Sequence, residues 1–133
     1  MSKLPRHVLA FDPGETIGMA LLKRGGAIVV TKAITTAGTR DWRERLAVIF
    51  TQYAPSSALV IEAGPMGGRH NNMIITTVEN ELVDLADQHG MNVNWIRPAD
   101  WKGYPAARLA PAECRHKSKH EQDAARMARV WLH

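Results

Sequence analysis

The chain lacks the features that mark secreted and membrane proteins. Among its 133 residues there is one cysteine, Cys114, which excludes an intrachain disulfide framework. No apolar run is long enough to cross a bilayer, and the first residues contain no long apolar stretch of the kind found in secretory signals. A single thiol is compatible with a reducing compartment, so we expect a cytoplasmic protein.

Acidic residues are fewer than basic ones. Lysine and arginine total 17, against 13 for aspartate and glutamate, which gives a net charge of +4. This balance favours an anionic partner, with nucleic acid first, although a modest positive charge also serves solubility alone. The length and a hydrophobic content of 45% suffice for one core, so we expect a single domain over residues 1–133.

Two uninterrupted apolar runs each end in a carboxylate. Residues 8–11 precede Asp12, and residues 58–61 precede Glu62. Runs of this kind are typical of strands that are buried on both faces. A carboxylate at the end of such a strand is costly unless it is exposed, paired or bound to a metal. These two side chains are therefore the first candidates for a functional site.

The remaining pattern predicts an α/β fold. Turn signals at Pro13-Gly14 and Gly25-Gly26 divide the first 34 residues into an antiparallel meander, in which Gly18 permits a close backbone approach. The later predicted elements are a helix from residue 41 that ends at Pro55, a strand over 58–61, a loop over 64–72, a helix over 73–89, a strand over 93–96, an irregular segment over 97–117 and a helix over 119–132.

Helical periodicity predicts the buried faces of the two longer helices in the second half of the chain. The face of the helix over 73–89 comprises Ile74, Val78, Leu82, Leu85 and Ala86, and Gly90 is placed to cap its end. The stripe of the last helix comprises Ala124, Met127, Ala128 and Trp131. Ser118 and Glu121 have the spacing of a capping box, so we expect this helix to begin there.

The order of the elements predicts that the acidic residues converge. A strand, a helix and a further strand imply a right-handed crossover, so the strands ending at Asp12 and Glu62 are parallel and open at one edge of the sheet. The final helix offers His120 and Asp123, which are neighbours on its surface because they lie three residues apart. Glu121 is better explained as the helix cap than as a ligand.

Each of these residues also has a structural explanation when it is taken alone. Asp12 would suit a turn before Pro-Gly, and Glu62 would suit a solvent-facing strand end. His120 would be an ordinary surface residue, and Asp123 would be favourable near a helix N-terminus through the dipole. Their joint occurrence on converging elements favours the functional interpretation.

Adjacent carboxylates repel one another unless a cation joins them. Hard oxygen ligands suit Mg²⁺ or Mn²⁺, and two such ions can promote hydrolysis of a phosphodiester by activating water and stabilising the leaving oxygen. We therefore predict a two-metal site in which Asp12 bridges the ions while Glu62 and Asp123 each bind on one side.

Three motifs occur in order along the chain: FDPGETIGMA at 11–20, VIE at 60–62 and KHEQDAA at 119–125. Together they resemble the motifs of RuvC-type Holliday junction resolvases, in the RNase H-like superfamily. The resemblance implies a mixed five-stranded sheet, an antiparallel meander followed by parallel strands, flanked by helices. By position it makes Asp12, Glu62, His120 and Asp123 the catalytic and metal-binding set, with two Mg²⁺ or Mn²⁺ ions in each active site.

The resemblance also implies an activity and a partner. It implies a crossover junction endodeoxyribonuclease of DNA recombination and repair, which nicks four-way junctions symmetrically as a homodimer through the helix over 73–89. The family usually has an aromatic wedge after the second motif. This chain has none there, and Met66 is the only sizeable apolar candidate. Its compact size looks more like a phage-type member, acting in a bacterial or phage-infected cell.

Basic and polar side chains flank the predicted site and would contact DNA phosphates. These predicted nucleic-acid-binding residues are Arg69, His70, Asn72, Lys102, Arg115, Lys117 and Lys119. For Trp101, core packing is favoured over stacking on a base.

Three other functions are compatible with parts of the pattern. A YqgF-like nuclease acting on RNA would share a similar first motif and a late aspartate. A protein that binds junctions without cleaving them would share the fold. An actin-like or sugar-kinase phosphate loop also begins with Asp-x-Gly-x-Thr, but such proteins need two domains and a much longer chain.

Overall fold

A five-stranded mixed sheet forms the centre of the protein, seen in a computed structural model that describes residues 5–64 and 72–133. The strands are β1 (His7–Asp12), β2 (Thr16–Lys23), β3 (Ile28–Thr35), β4 (Ser57–Glu62) and β5 (Val93–Ile96). Their order is β3-β2-β1-β4-β5. The first three strands are antiparallel, whereas β4 runs parallel to β1 and β5 parallel to β4. The predicted α/β fold, with a meander followed by parallel strands, is confirmed.

Helices cover both faces of this sheet. They are α1 (Trp42–Tyr53), α2 (Met73–Gln88), α3 (Pro98–Trp101), α4 (Pro111–Cys114) and α5 (Lys119–Leu132). Short 3₁₀ helices span Ala54–Ser56 and Pro105–Ala107. No helix in the described ranges is long and apolar enough to cross a membrane.

Strand β1 lies at the centre of both cores, as its apolar run predicts. Leu9 and Phe11 face a core shared with α1 and α2, and the Phe11 ring stacks on Phe50 of α1 at 5.6 Å between centroids. Val8 and Ala10 face a second core that is shared with α5. All four side chains of this run are almost completely buried. A strand covered on both faces cannot hold a polar side chain along its length, so its carboxylate lies at the end.

The prediction that residues 97–117 are irregular throughout is wrong. Three short helical segments interrupt this stretch, and they begin at Pro98, Pro105 and Pro111. Proline is favoured at the first helical position because its missing N–H has no partner there in any case. These prolines start helical turns, although in the sequence they suggested only loops.

Two side chains assigned to buried helix faces are exposed instead. Ile74 is 46% exposed and Trp131 is 38% exposed. The buried residues of α2 begin at Val78, and those of α5 end at Ala128. The first turn of α2 therefore extends past the core, whereas the last turn of α5 packs Val130 and Leu132 against the core and turns Trp131 outward. Periodicity alone does not reveal either outcome.

Candidate active site

Two parallel strands place Asp12 and Glu62 side by side at one edge of the sheet. Phe11 pairs with Ile61 in the register of β1 and β4, so the residues that follow them are neighbours. The two carboxyl groups lie within hydrogen-bonding reach of each other when Asp12 is protonated. The crossover thus brings together the two strand-end carboxyl groups, as the order of elements predicts.

Helix α5 adds its N-terminal turns to the same edge. Gly18, which pairs with Asp12 across β1 and β2, lies directly against the backbone of His120. A Cβ atom at this glycine would be only 2.1 Å from the His120 carbonyl oxygen. The close approach predicted for Gly18 is therefore the contact that sets α5 onto the sheet beside Asp12.

A capping box fixes the start of α5. The Ser118 hydroxyl accepts a hydrogen bond from the Glu121 N–H, and the Glu121 carboxylate accepts one from the Ser118 N–H. The same carboxylate accepts a 2.8 Å hydrogen bond from the Thr31 hydroxyl on β3. Burial favours a higher pKa for Glu121, but these hydrogen bonds outweigh burial and lower the pKa below its usual value. Glu121 is a cap, as predicted, and it also ties α5 to the sheet.

Asp12 is the electrostatic centre of the cluster. The pKa of its carboxyl group is raised to about 8, mostly by burial and then by the negative charges of Glu62 and Asp123. The hydrogen bond with Glu62 acts in the same direction, whereas the positive charge of Lys102 opposes it. Without a compensating cation, Asp12 therefore keeps its proton at neutral pH. A carboxyl group with so strongly perturbed a pKa, beside other carboxyl groups, is typical of a functional site.

Cationic side chains lie close to these carboxyl groups. Arg126 places a guanidinium nitrogen 3.8 Å from an Asp123 carboxylate oxygen, and the Asp123 side chain is only 14% exposed. The positive charge of Lys102 acts on Asp12. Both cations also lie against the ring of Trp101, a neighbour of Glu62, with the Arg126 guanidinium carbon 5.0 Å and the Lys102 ammonium 5.5 Å from the ring centre. The cluster is thus partly neutralised by nearby cations.

The donor chemistry fits a hard divalent cation. Asp12, Glu62 and Asp123 supply carboxyl oxygens, and a cation among them would relieve their mutual repulsion. His120 is exposed, and its backbone lies against Gly18, the residue that pairs with Asp12. In the described part of the chain, however, no three histidine, cysteine, aspartate or glutamate side chains are arranged as a metal-binding group. The structure therefore brings the predicted acidic residues together without a preformed ligand cage.

The predicted DNA-binding residues lie in different surroundings. Lys102 is exposed at the site itself, where its charge acts on Asp12. Arg115 and Lys119 are exposed on either side of the start of α5. The predicted DNA contacts Arg69 and His70, and the wedge candidate Met66, lie outside the described residues.

Two of the predicted DNA-binding residues have structural partners. The Asn72 side chain caps α2, because its oxygen accepts hydrogen bonds from the backbone N–H groups of Ile74 and Ile75. Lys117 interacts electrostatically with Glu113 and Glu121. Both residues therefore help to fix local structure in addition to any contact with DNA.

Sequence reasoning missed a hydrogen bond to Glu62. The Trp101 indole is buried, as predicted, but its Nε1–H also donates to a Glu62 carboxylate oxygen at 2.9 Å. The sequence holds a signal for this contact. Trp101 follows β5 by a few residues, and β5 lies beside β4, so the segment after β5 reaches the same edge of the sheet as Glu62.

Comparison with known proteins identifies the fold. No protein-family model matches the chain, and no curated protein is similar to it in sequence. Several solved structures share its architecture, and two of them are RuvC structures. One is T. thermophilus RuvC in complex with a Holliday junction substrate, with a TM-score of 0.70 and 14% identity over 93% of this chain and 90% of that chain. The other is Thermus thermophilus RuvC, with a TM-score of 0.69 and 15% identity over 93% of this chain and 92% of that chain.

The chain has the RuvC fold. Its five-stranded sheet and flanking helices match RuvC over nearly the whole length of both chains. In this RuvC-like fold the acidic cluster occupies the edge of the sheet at which β1 and β4 end. Ligands of α/β sheets bind at the carboxyl ends of parallel strands, so this edge is the candidate active site.

Proposed function

We propose that the protein is a divalent-metal-dependent endonuclease that resolves four-way DNA junctions. One observation carries the proposal: three carboxyl groups meet at the strand-end edge of a RuvC-like sheet, where burial, and after it the negative charges of Glu62 and Asp123, raise the pKa of Asp12. Such a cluster needs a cation, and carboxylate-bound Mg²⁺ or Mn²⁺ is the usual arrangement for phosphodiester hydrolysis. The RuvC structure with a Holliday junction substrate supports branched DNA as the substrate class.

The four predicted residues receive distinct roles. When bound, two Mg²⁺ or Mn²⁺ ions supply activation of the attacking water and stabilisation of the leaving oxygen. Asp12, Glu62 and Asp123 would hold these ions, and Asp12 would release to solvent the proton that it holds at neutral pH without a cation. His120, which is exposed at the start of α5, completes the ligand set or orients the water.

The substrate would lie across the edge of the sheet at which these residues meet. Lys102 supplies exposed positive charge at the cluster, and Arg115 and Lys119 supply more before and at the start of α5. Arg69, His70, Asn72 and Lys117 complete the proposed set of phosphate contacts. Such contacts set affinity and register and do not read sequence, which suits a nuclease selective for the shape of its substrate.

A second copy of the chain would supply the second cut of a symmetric pair. We assign the contact to α2, whose first turn exposes Met73 and Ile74. The nuclease domain would comprise residues 1–133 and act in the cytoplasm.

The experiment compares a synthetic four-way junction, a linear duplex and a structured RNA, each with Mg²⁺ or with EDTA. We expect paired symmetric nicks on the junction alone, lost with EDTA and in Asp12→Asn. Glu44→Gln, an exposed carboxylate on α1, is the matched control and should cut normally. Equal cleavage of RNA would favour a YqgF-like RNA nuclease, and binding without cleavage would leave a junction-binding protein.

A second variant separates a catalytic from a structural role for Glu62. Glu62→Gln preserves the size of the side chain and an oxygen that accepts from Trp101. We expect it to bind junctions normally and to cut none of them. Loss of folding together with binding would instead make Glu62 a structural residue.

A further inference from the structure

Trp101 lies in direct contact with the acidic cluster and has no role in the mechanism described so far. Its side chain is 1% exposed and packs in the core between the sheet and α5. Only its polar edge is turned to the cluster, where Nε1–H donates to Glu62 Oε2 at 2.9 Å. A tryptophan placed solely to fill a core needs some partner for this N–H, but here the partner is a proposed metal ligand.

The indole is itself held firmly. It ends α3, a single turn that begins at Pro98 and is closed by the pair of Arg97 and Asp100. The Arg97 backbone N–H donates to the Asp100 carboxylate at 2.9 Å, and their side chains form a 3.0 Å ion pair. Hydrogen bonds from Arg97 lower the pKa of Asp100, so this brace stays charged at neutral pH. The donor therefore approaches Glu62 from a fixed direction.

The faces of the ring contact cations that belong to the same site. Arg126 and Lys102 lie 5.0 Å and 5.5 Å from its centroid, within the range of a cation–π attraction. Arg126 also lies 3.8 Å from Asp123, and the charge of Lys102 acts on Asp12. One buried ring thus contacts Glu62 and also the cations whose charges act on Asp12 and Asp123.

We propose that Trp101 is a positioning residue that holds the Glu62 carboxylate in the orientation in which the site takes up its divalent cations. The inference rests on the proposed function. A glutamate at a strand end has three side-chain torsions, and the last of these is broad unless a partner fixes it. The bond to Oε2 fixes that torsion and leaves Oε1 outside the bond. Hydrogen-bonded partners of ligating carboxylates act in this way, and their loss weakens metal affinity or activity about 10- to 100-fold.

The test compares Trp101→Phe with Trp42→Phe. Both substitutions remove an indole N–H and a little volume from a buried side chain, but Trp42 lies on α1 in the other core. Mn²⁺ binding to each protein without DNA is measured by titration calorimetry. We expect about 10- to 100-fold weaker binding in Trp101→Phe and near wild-type binding in Trp42→Phe. Equal affinities in the two variants, or no Mn²⁺ binding by the wild type, would overturn the proposal.

A spectroscopic readout covers the case in which Trp101→Phe folds poorly. In ¹⁵N-labelled wild-type protein the Trp101 indole signal is assigned by its loss in Trp101→Phe or, if that variant does not fold, in Trp101→Tyr. Glu62→Ala removes the acceptor and should shift this signal, while the Trp42 signal stays in place. An unmoved Trp101 signal would contradict the hydrogen bond and with it the proposal.

Junction cleavage is measured separately in the same proteins. If the wild type binds Mn²⁺ and Trp101→Phe binds it more weakly, the positioning role stands even when no junction is cut. In that case the proposed substrate is wrong. If junctions are cut but Trp101→Phe binds Mn²⁺ and cuts like the wild type, the proposed function stands and the role of Trp101 does not.

Discussion

Asp12→Asn should stabilise the metal-free protein even though it removes the central residue of the site. The pKa of Asp12 is about 8 in the folded protein, against an ordinary value of 3.8, chiefly because the group is buried and then because Glu62 and Asp123 are negative. In the unfolded chain the carboxyl group ionises near its ordinary pKa. Between these two values the folded state binds more protons than the unfolded state, so the free energy of unfolding falls as the pH rises through this window.

The magnitude follows from the width of the window. One pKa unit corresponds to about 1.4 kcal/mol, so at pH 7 the raised pKa of Asp12 costs at most about 4 kcal/mol. Asparagine has the same size and no charge, but its amide also needs hydrogen-bond partners. We therefore expect the free energy of unfolding of Asp12→Asn to exceed that of the wild type by about 1–3 kcal/mol at pH 7, which corresponds to a Tm about 3–10 °C higher. At pH 4 the gain should fall below about 1 kcal/mol, because the unfolded carboxyl group is then partly protonated as well.

Urea unfolding in EDTA at pH 4 and pH 7 measures both numbers. Asp84→Asn, which removes an exposed carboxylate on α2, is the control and should change stability little at either pH. Added Mg²⁺ should stabilise the wild type and leave Asp12→Asn unchanged, since a ligand stabilises only the state that binds it. A variant no more stable than the wild type at pH 7, or a gain that does not depend on pH, would refute the electrostatic account of this site.

Three further substitutions test the supports of the site by urea unfolding. Gly18→Ala should lower the free energy of unfolding by about 3 kcal/mol or more, because the new Cβ would overlap the backbone of α5. Gly25→Ala is the control and should lower it far less, because no atom lies within 4 Å of a Cβ at that position. Glu113→Gln should lower the free energy of unfolding by about 1 kcal/mol at pH 7, because hydrogen bonds, chiefly from Arg129, lower the pKa of Glu113 to about 2. The difference from the wild type should shrink as the pH falls from 4.5 towards 2, where Glu113 becomes protonated in the folded protein as well. Ser118→Ala removes the cap of α5 and should lose about 1 kcal/mol, and a loss near zero would mean that Glu121 holds the helix start alone.

The local features of the fold were predictable from the sequence because they depend on neighbouring residues. The doubly buried run before Asp12, the capping box at Ser118 and the close approach at Gly18 each follow from a short pattern. The convergence of Asp12 and Glu62 was also predictable, because a right-handed crossover leaves few arrangements for two parallel strands. The roles of these residues in metal binding and catalysis remain predictions.

Only the tertiary structure decided the features that depend on distant segments. Trp101 and Glu62 are 39 residues apart, and no periodicity specifies that an indole N–H will meet that carboxylate. The exposure of Ile74 and Trp131 depends on how the first turn of α2 and the last turn of α5 meet the core, and the pKa of Asp12 depends on the summed burial and charge around it. The residues that could form the site, and the edge of the sheet at which they lie, follow from the amino-acid sequence alone, because hydrophobic period, caps and crossover handedness are local or topological rules. Their distances, partners and charges were decided by packing, because each is set by several elements at once.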